Sequence, residues 1–375
     1  MVPRLNCPVS VRGYRGRGCA GGVVRFPQAM PEPCRIEFRR YRLPFRAPLR
    51  TAHGSWAVRE GVLVRVERPD GSTGFGEAAP IPGFAGAGID EIEVASRALG
   101  GRCGPEMIES LPAALNTLRG ALRAAFHDEA LSADGSAPAY LGVAALLPAG
   151  RAVLGALSAR AESGFRLFKW KVGVGDVSDE LALLDDVCAA LPSGARLRLD
   201  ANGAWDRRRA ERWLERCADR PIEHVEQPCL AAPGAGETER RRGDDLLLGL
   251  AGDFPTPIAL DESLASDADV DRWLGSGWPG VFVVKPALLG DASSSLAALR
   301  KRRAPVVFSS ALETAIGARS ALRVAFRWDG EPKALGFGVW PLFADARFDG
   351  PRAAPFVRRE DVESLDPEAA WNALG

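Results

Sequence analysis

The chain has 375 residues, with 48 basic and 48 acidic side chains that cancel. This balance removes the broad electrostatic attraction that nucleic-acid and anionic-membrane binding depend on, so a small-molecule partner is expected. The apolar stretches are short and interrupted by Arg, Asp or Pro, below the length that spans a bilayer, and a soluble cytoplasmic protein of one large and one smaller domain is expected.

Residues 1–31 hold five arginines, no acid and no clear periodicity. The expectation for residues 1–33 is a disordered, dispensable extension, weighed against a transit peptide or a misassigned start. From Arg35 to Glu77 the pattern reads strand, turn, strand, with a hairpin turn at Asp70 and Gly71. Residues 89–126 have helical spacing, broken around Gly100 to Gly104. An α+β capping domain over residues 34–135 follows.

From Ala139 onward, short apolar runs alternate with longer charged, helix-like segments. The runs are "LGVAALLP", "RLFKWKVG", "RLRLDANG", "IEHVEQP", "PIALDES", "VFVVKPALLG", "PVVFSSALE" and "ALGFGVWPLF". Eight buried strands with intervening helices predict a modified TIM-type (β/α) barrel over residues 136–345. Residues 346–375 are expected to pack back on the capping domain.

Chemistry in such barrels sits at the carboxyl ends of the strands. Here those ends are Lys169 and Lys171, Asp200 and Asn202, Glu226, Asp261, Lys285, and Ser309 with Ser310. Asp200, Glu226 and Asp261 come from adjacent strands and can converge on one hard cation. Separate salt bridges to lysines are the alternative, although three acids at equivalent strand ends repel one another without a cation. With only His53, His127 and His224 in the chain, an imidazole-rich centre is excluded and magnesium is the natural occupant, with manganese able to substitute. The seven scattered cysteines show no metal or disulfide spacing.

Lys169 and Lys171, two apart, share the inward face of their strand while Trp170 faces the helices. Like charge and desolvation should lower a lysine pKa there toward the range of a general base. Lys285 enters from across the barrel. Asn202 either orients Asp200 or a metal-bound water, or closes an Asx turn. His224 reads as a hydrogen-bonded core residue and Cys229 as inert. Glu262, directly after Asp261, should point away from the site.

The motifs "KWK", "LDANGAW", "EHVEQP", "ALDES" and "VVKPALLG", in this order, resemble the muconate-lactonizing subgroup of the enolase superfamily. The resemblance runs from Arg35 to Leu374. It implies Asp200, Glu226 and Asp261 as magnesium ligands and Lys171 with Lys285 as an acid/base pair; lysine with magnesium is also the general pattern described for this superfamily. Within the subgroup, "PLRTAHGSWAVREGVLVRV", "GFGEAAPIPGF", "FRLFKWKVGVG" and "FSSALETAIG" look like the o-succinylbenzoate synthase family.

That resemblance implies a hydro-lyase of menaquinone or phylloquinone biosynthesis that dehydrates 2-succinyl-6-hydroxy-2,4-cyclohexadiene-1-carboxylate. Lys171 would serve as base and then acid, Lys169 as an electrostatic neighbour, and Lys285 as a cation against the ring. The capping loops "RTAHGSW" and "GEAAPIPGFAG" would close over the mouth, where His53 could reach the succinyl tail, and Ser309 and Ser310 could receive a carboxylate. An N-succinylamino acid racemase, a muconate-type cycloisomerase and a catalytically silent scaffold of the same fold are the competing readings. Relatives that epimerise dipeptides carry Asp-x-Asp on the eighth strand, and "ALGFGVWPLF" has no acid there.

Overall fold

Alternating apolar and polar side chains after residue 33 fold into an antiparallel sheet. In the computed structural model the described residues are 33–51, 54–131, 138–232 and 234–375. Residues 1–32, and with them almost all of the expected extension, and His53 lie outside the described residues. Strands β1 (Cys34–Thr51), β2 (Gly54–Glu67) and β3 (Thr73–Ala78) form the meander, with Asp70 at the β2–β3 turn accepting from the Ser72 backbone N–H and hydroxyl. Helix α1 (Ile89–Leu99), the short edge strand β4 (Arg102–Cys103), α2 (Pro105–Ser110) and α3 (Asn116–Phe126) follow, giving the sheet order β3-β2-β1-β4. Apolar residues of one sheet face, Ile36, Val62, Val64 and Val66, pack with Ile92, Leu118 and Leu122 of the helices.

The barrel begins after β5 (Tyr140–Gly142) with β6 (Ala145–Leu147), then alternates through α4 (Ala152–Glu162), β7 (Leu167–Lys171), α5 (Val177–Ala190), β8 (Arg196–Asp200), α6 (Arg207–Cys217), β9 (Ile222–Glu226) and α7 (Glu237–Asp253). It continues through β10 (Ile258–Leu260), α8 (Asp267–Gly275), β11 (Val281–Val284), α9 (Ala292–Lys301), β12 (Val306–Phe308) and α10 (Ala315–Phe326). Strands β6 to β12 pair in parallel, in sequence order.

Eight strands were expected, and the eighth run makes only single bridges: Leu335 pairs with Val143 and Gly336 with Ser309, both parallel. These bridges close the ring between β12 and β6. A Cβ on Gly336 would collide with Ser309, and one on Gly338 with the Ala144 carbonyl. Glycine permits this approach but makes a weak strand, which is why no ladder forms. The first run also splits, because β5 pairs antiparallel with β13 (Phe356–Arg358) rather than joining the barrel.

Period-two alternation sends Phe168, Trp170, Leu197, Leu199 and Phe282 outward into the helical layer, where Trp170 meets Trp213 of α6 edge-on. Inside, Ala259, Val281, Val283 and Val307 form a small apolar plug on one side. Arg198 and His224 occupy the interior of the other side, both fully buried. After β13, α11 (Arg359–Glu363) and α12 (Pro367–Asn372) end the chain; Trp371 contacts Phe75 of β3 and lies under the Arg39 guanidinium of β1. Residues 33–375 thus cluster as one unit, further joined by Phe45 of β1, which bridges Phe343 of the barrel.

Candidate active site

Register alone lines up the acids. Lys171 is the β-partner of Asp200, and Asp200 of Glu226, so one row of inward side chains crosses the ends of β7, β8 and β9. Asp261 comes just past β10, beside Glu226 through the Ala259 pairing. Lys285 follows β11, across the barrel from the β7 lysines.

Lys169, Lys171, Asp200, Asp261 and Lys285 line a cleft of about 440 Å³, within the range of small-molecule sites, while Glu226 is buried against Lys169. Its opposite wall comes from the capping domain: Leu49, Ser55, Trp56, Ile81, Pro82 and Phe84 all face it. The described parts of the two expected loops therefore do cover the barrel mouth. Asn202, Ser309 and Ser310 also line the cleft.

As they stand, the carboxylates are neutralised by lysines, the arrangement that separate salt bridges would give. Lys169 Nζ lies 3.0 Å from Asp200 and 2.5 Å from Glu226. Lys285 Nζ rests against Asp261 Oδ1 as an ion pair, without hydrogen-bond geometry. Burial opposes the charge on Lys169, but Asp200 and Glu226 outweigh it and raise its pKa above the usual lysine value. This reverses the lowering expected from its lysine neighbour, and suits Lys169 to permanent positive charge. At Lys285 burial wins and brings the pKa down to about 8. Glu226 is held low because Lys169 overcomes its burial, whereas at Asp200 burial prevails and the pKa rises.

Glu262 corrects the sequence reading. Strand β10 ends at Leu260, so alternation no longer governs residues 261 and 262, and both line the cleft. Burial, together with Asp200 and Glu226, pushes the Glu262 pKa up to about 7. Asn202 Nδ2 donates to Glu262 at 3.1 Å, while the Asn202 backbone N–H donates to Asp200 Oδ1 at 3.2 Å. Asn202, at φ 46°, thus closes the Asx turn and holds Glu262 rather than Asp200 with its side chain.

His224 is fully buried, as expected; among the described residues its ring nitrogens meet no protein hydrogen-bond partner, and Nε2 lies 4.0 Å from Glu226 Oε2. Burial drives its pKa down to about 3. The Cys229 thiol is pushed up to about 12 by burial and is inert. Ser309 Oγ donates to the Gly336 carbonyl at 3.3 Å, and Ser310 Oγ donates to Glu313 at 2.7 Å while accepting from the Leu312 N–H. Ser310 thus shapes the local turn, Ser309 ties β12 to the eighth run, and both line the cleft.

Sequence reasoning passed over Gln227 and Phe84. Gln227, at φ 39° and fully buried, accepts from the Asp261 and Ser263 N–H groups and donates to the Cys229 carbonyl and Ser263 hydroxyl. It fixes where Asp261 leaves β10. Its position directly after Glu226, at a strand's carboxyl end, was the available signal. Phe84 places its ring 5.2 Å from Lys285 Nζ, a cation–π contact no local pattern announces.

Among the described residues, no three acid, histidine or cysteine side chains are already gathered into a metal cage. The donor set nonetheless suits a hard divalent cation. Glu262 Oε2 and Asn202 Oδ1 are buried without a hydrogen-bond donor, and the three carboxylates lining the cleft, Asp200, Asp261 and Glu262, together with buried Glu226 beside Lys169, outnumber the three lysines. A cation accepted by these oxygens offsets the surplus negative charge.

A family model described as "Enolase C-terminal domain-like" matches residues 153–332. An o-succinylbenzoate synthase from Thermosynechococcus vestitus BP-1 is 40% identical over 314 residues, 81% of this chain and 92% of that protein. The chain belongs to the o-succinylbenzoate synthase family of the enolase superfamily. Another family member, from Thermobifida fusca, is 33% identical over 57% of this chain and 67% of its own length. The crystal structure of o-succinylbenzoate synthase from Thermosynechococcus elongatus BP-1, complexed with Mg in the active site, superposes with a TM-score of 0.74 and 36% identity, covering 90% of this chain and 99% of that one. A substrate-liganded L-Ala-D/L-Glu epimerase from Bacillus subtilis, 22% identical over 87% of this chain and 96% of its own, shares the fold with a TM-score of 0.73.

Proposed function

We propose that the protein is a magnesium-dependent hydro-lyase that converts 2-succinyl-6-hydroxy-2,4-cyclohexadiene-1-carboxylate to o-succinylbenzoate in quinone biosynthesis. The observation that carries this reading, beside family membership, is the row Lys171–Asp200–Glu226 facing Lys285 across a capped, largely apolar cleft. Asp200, Glu226 and Asp261 would hold the metal, which when bound supplies Lewis-acid stabilisation of charge developing on the substrate carboxylate.

Lys171 removes the proton α to the carboxylate and returns a proton to the departing hydroxyl, so one water leaves and the ring becomes aromatic. Lys169 keeps Asp200 and Glu226 neutralised while charge moves. Lys285 presents a cation to the face of the flat intermediate. Ile81, Pro82, Phe84 and Leu147 exclude water around the ring, which strengthens these electrostatic effects. The substrate is a small-molecule carboxylate that we place in the cytoplasm; among the described residues no helix is long and apolar enough to cross a membrane.

A second reading has one observation behind it. Lys285, its pKa lowered to about 8, stands opposite Lys171 and could carry a proton on the other face, as racemisation of an N-succinylamino acid requires. The deciding experiment supplies purified protein with magnesium and each substrate in turn. Formation of o-succinylbenzoate, abolished by chelation, supports the dehydratase; racemisation alone refutes it.

A further inference from the structure

Two side chains of the antiparallel domain take hold of one short barrel segment from opposite chemical ends. Arg59, on β2, is 1% exposed, and among the described residues it forms no ion pair. Its guanidinium donates to five backbone carbonyls: Ala79 and Pro80 at 2.5 Å each, Ala311 and Leu312 at 3.1 Å each, and Glu60 at 3.4 Å. Glu77, near the end of β3 and also buried, accepts from the N–H groups of Thr314 and Gly317, each at 3.0 Å. It further accepts from the Thr314 hydroxyl and, at 2.6 Å, from the Tyr41 hydroxyl.

Segment 311–317 is thus held by a cation on its carbonyls and an anion on its amides, the latter at the first turn of α10. A Cβ on Gly317 would lie 2.7 Å from Glu77 Oε2, so the approach depends on glycine. The segment also leaves strand β12 directly after Ser309 and Ser310. Leu312 sits at φ 61°, a conformation that costs a branched side chain free energy and persists only where neighbours impose it. Arg59 Nε on its carbonyl is such a constraint, and the Leu312 side chain lines the cleft.

The same guanidinium lies 5.1 Å from the Trp56 ring, another cleft residue. Two more of its carbonyls, Ala79 and Pro80, begin the stretch that delivers Ile81, Pro82 and Phe84. One buried planar cation therefore fixes three pieces of cleft wall that are far apart in sequence. Lysine could not replace it, because a single ammonium lacks the fork that reaches carbonyls on both loops.

We propose that Arg59 and Glu77 are positioning residues that set substrate affinity by clamping segment 311–317 to the capping domain. The kinetic part of the test rests on the dehydratase reading; the exchange part does not. Full-length Arg59→Lys, assayed with magnesium, should raise KM tenfold or more with kcat changed less than threefold. In the absence of substrate, backbone amide exchange followed by mass spectrometry should accelerate at least tenfold in 311–317, with β11 and β12 unchanged. Glu77→Gln, which loses the anion but keeps the side-chain shape, should give the same two signatures and serves if Arg59→Lys does not fold. A folded variant with wild-type KM overturns the proposal, as does exchange that rises evenly across the barrel, the mark of simple domain glue. A wild type that turns over no cyclohexadiene substrate refutes the dehydratase reading instead, and the clamp then stands or falls on local exchange.

Discussion

Replacing Lys169 with methionine removes the ammonium between two buried carboxylates while keeping a side chain of similar length. Glu226 is 2% exposed at the side chain and Asp200 12%, so water cannot readily take over from the lysine. Breaking a buried ion pair from one side costs about 3–5 kcal/mol, because a charge is left without compensation. At roughly 2 °C per kcal/mol, suited to a chain of this size, the variant should melt about 6–10 °C below wild type. The assay is thermal denaturation followed by circular dichroism, in chelator and in saturating magnesium. Magnesium binds only the folded state, so it should raise both melting temperatures. The gain should be larger in Lys169→Met, whose acids lack the competing ammonium. Melting curves for variant and wild type that coincide in chelator would show that Lys169 does not neutralise this cluster.

Asp200→Asn, Glu226→Gln and Asp261→Asn should each lose at least about a hundredfold in kcat/KM, the loss of several kcal/mol of metal-assisted stabilisation, while keeping wild-type circular dichroism. A divalent-cation titration checks the cause, since full turnover in metal-free buffer contradicts it. Lys171→Arg keeps the cation but cannot act as a base near neutral pH, so dehydration should stop; Lys285→Arg should retain measurable dehydration and lose any racemisation. Equal loss in both lysine variants argues against a single base. The pKa of His224, about 3 in the fold and about 6.5 when unfolded, means that the unfolded chain binds the extra proton between those values. Stability contributed by keeping His224 neutral is therefore lost as pH falls below 6.5, by about 2 kcal/mol at pH 5. Denaturant unfolding at pH 7 and pH 5 should show a smaller drop for His224→Met than for wild type; an equal drop would assign the acid sensitivity elsewhere.

The barrel and the polar strand ends at its rim were legible in the sequence because each rests on a local period. Alternation within β7 put Lys169 and Lys171 inside and Trp170 outside, and equivalent strand ends placed Asp200, Glu226 and Asp261 on three neighbouring strands. The hairpin at Asp70 and Gly71 was legible for the same reason, since turn chemistry is read over four residues. The eighth strand was read too generously, because an apolar run with two glycines has the composition of a strand without the ladder.

Glu262 shows where a local rule stops. Alternation applies only while the strand lasts, and where β10 ends is set by Gln227 taking the Asp261 and Ser263 amides, a long-range contact. The direction of the Lys169 pKa was out of reach in the same way: the sequence shows a second lysine two residues away, but two carboxylates from other strands decide it. His224 could be placed in the core from its strand position.

What the sequence by itself determined is the set of side chains each strand offers to the barrel's interior, because backbone periodicity and chain order suffice for that. What only the tertiary structure decided is how those side chains meet groups remote in sequence: Lys169 with Glu226, Phe84 with Lys285, Arg59 with Ala311 and Leu312. Charge interactions depend on distance through space and on the exclusion of water, and both are fixed only when the capping domain closes on the barrel.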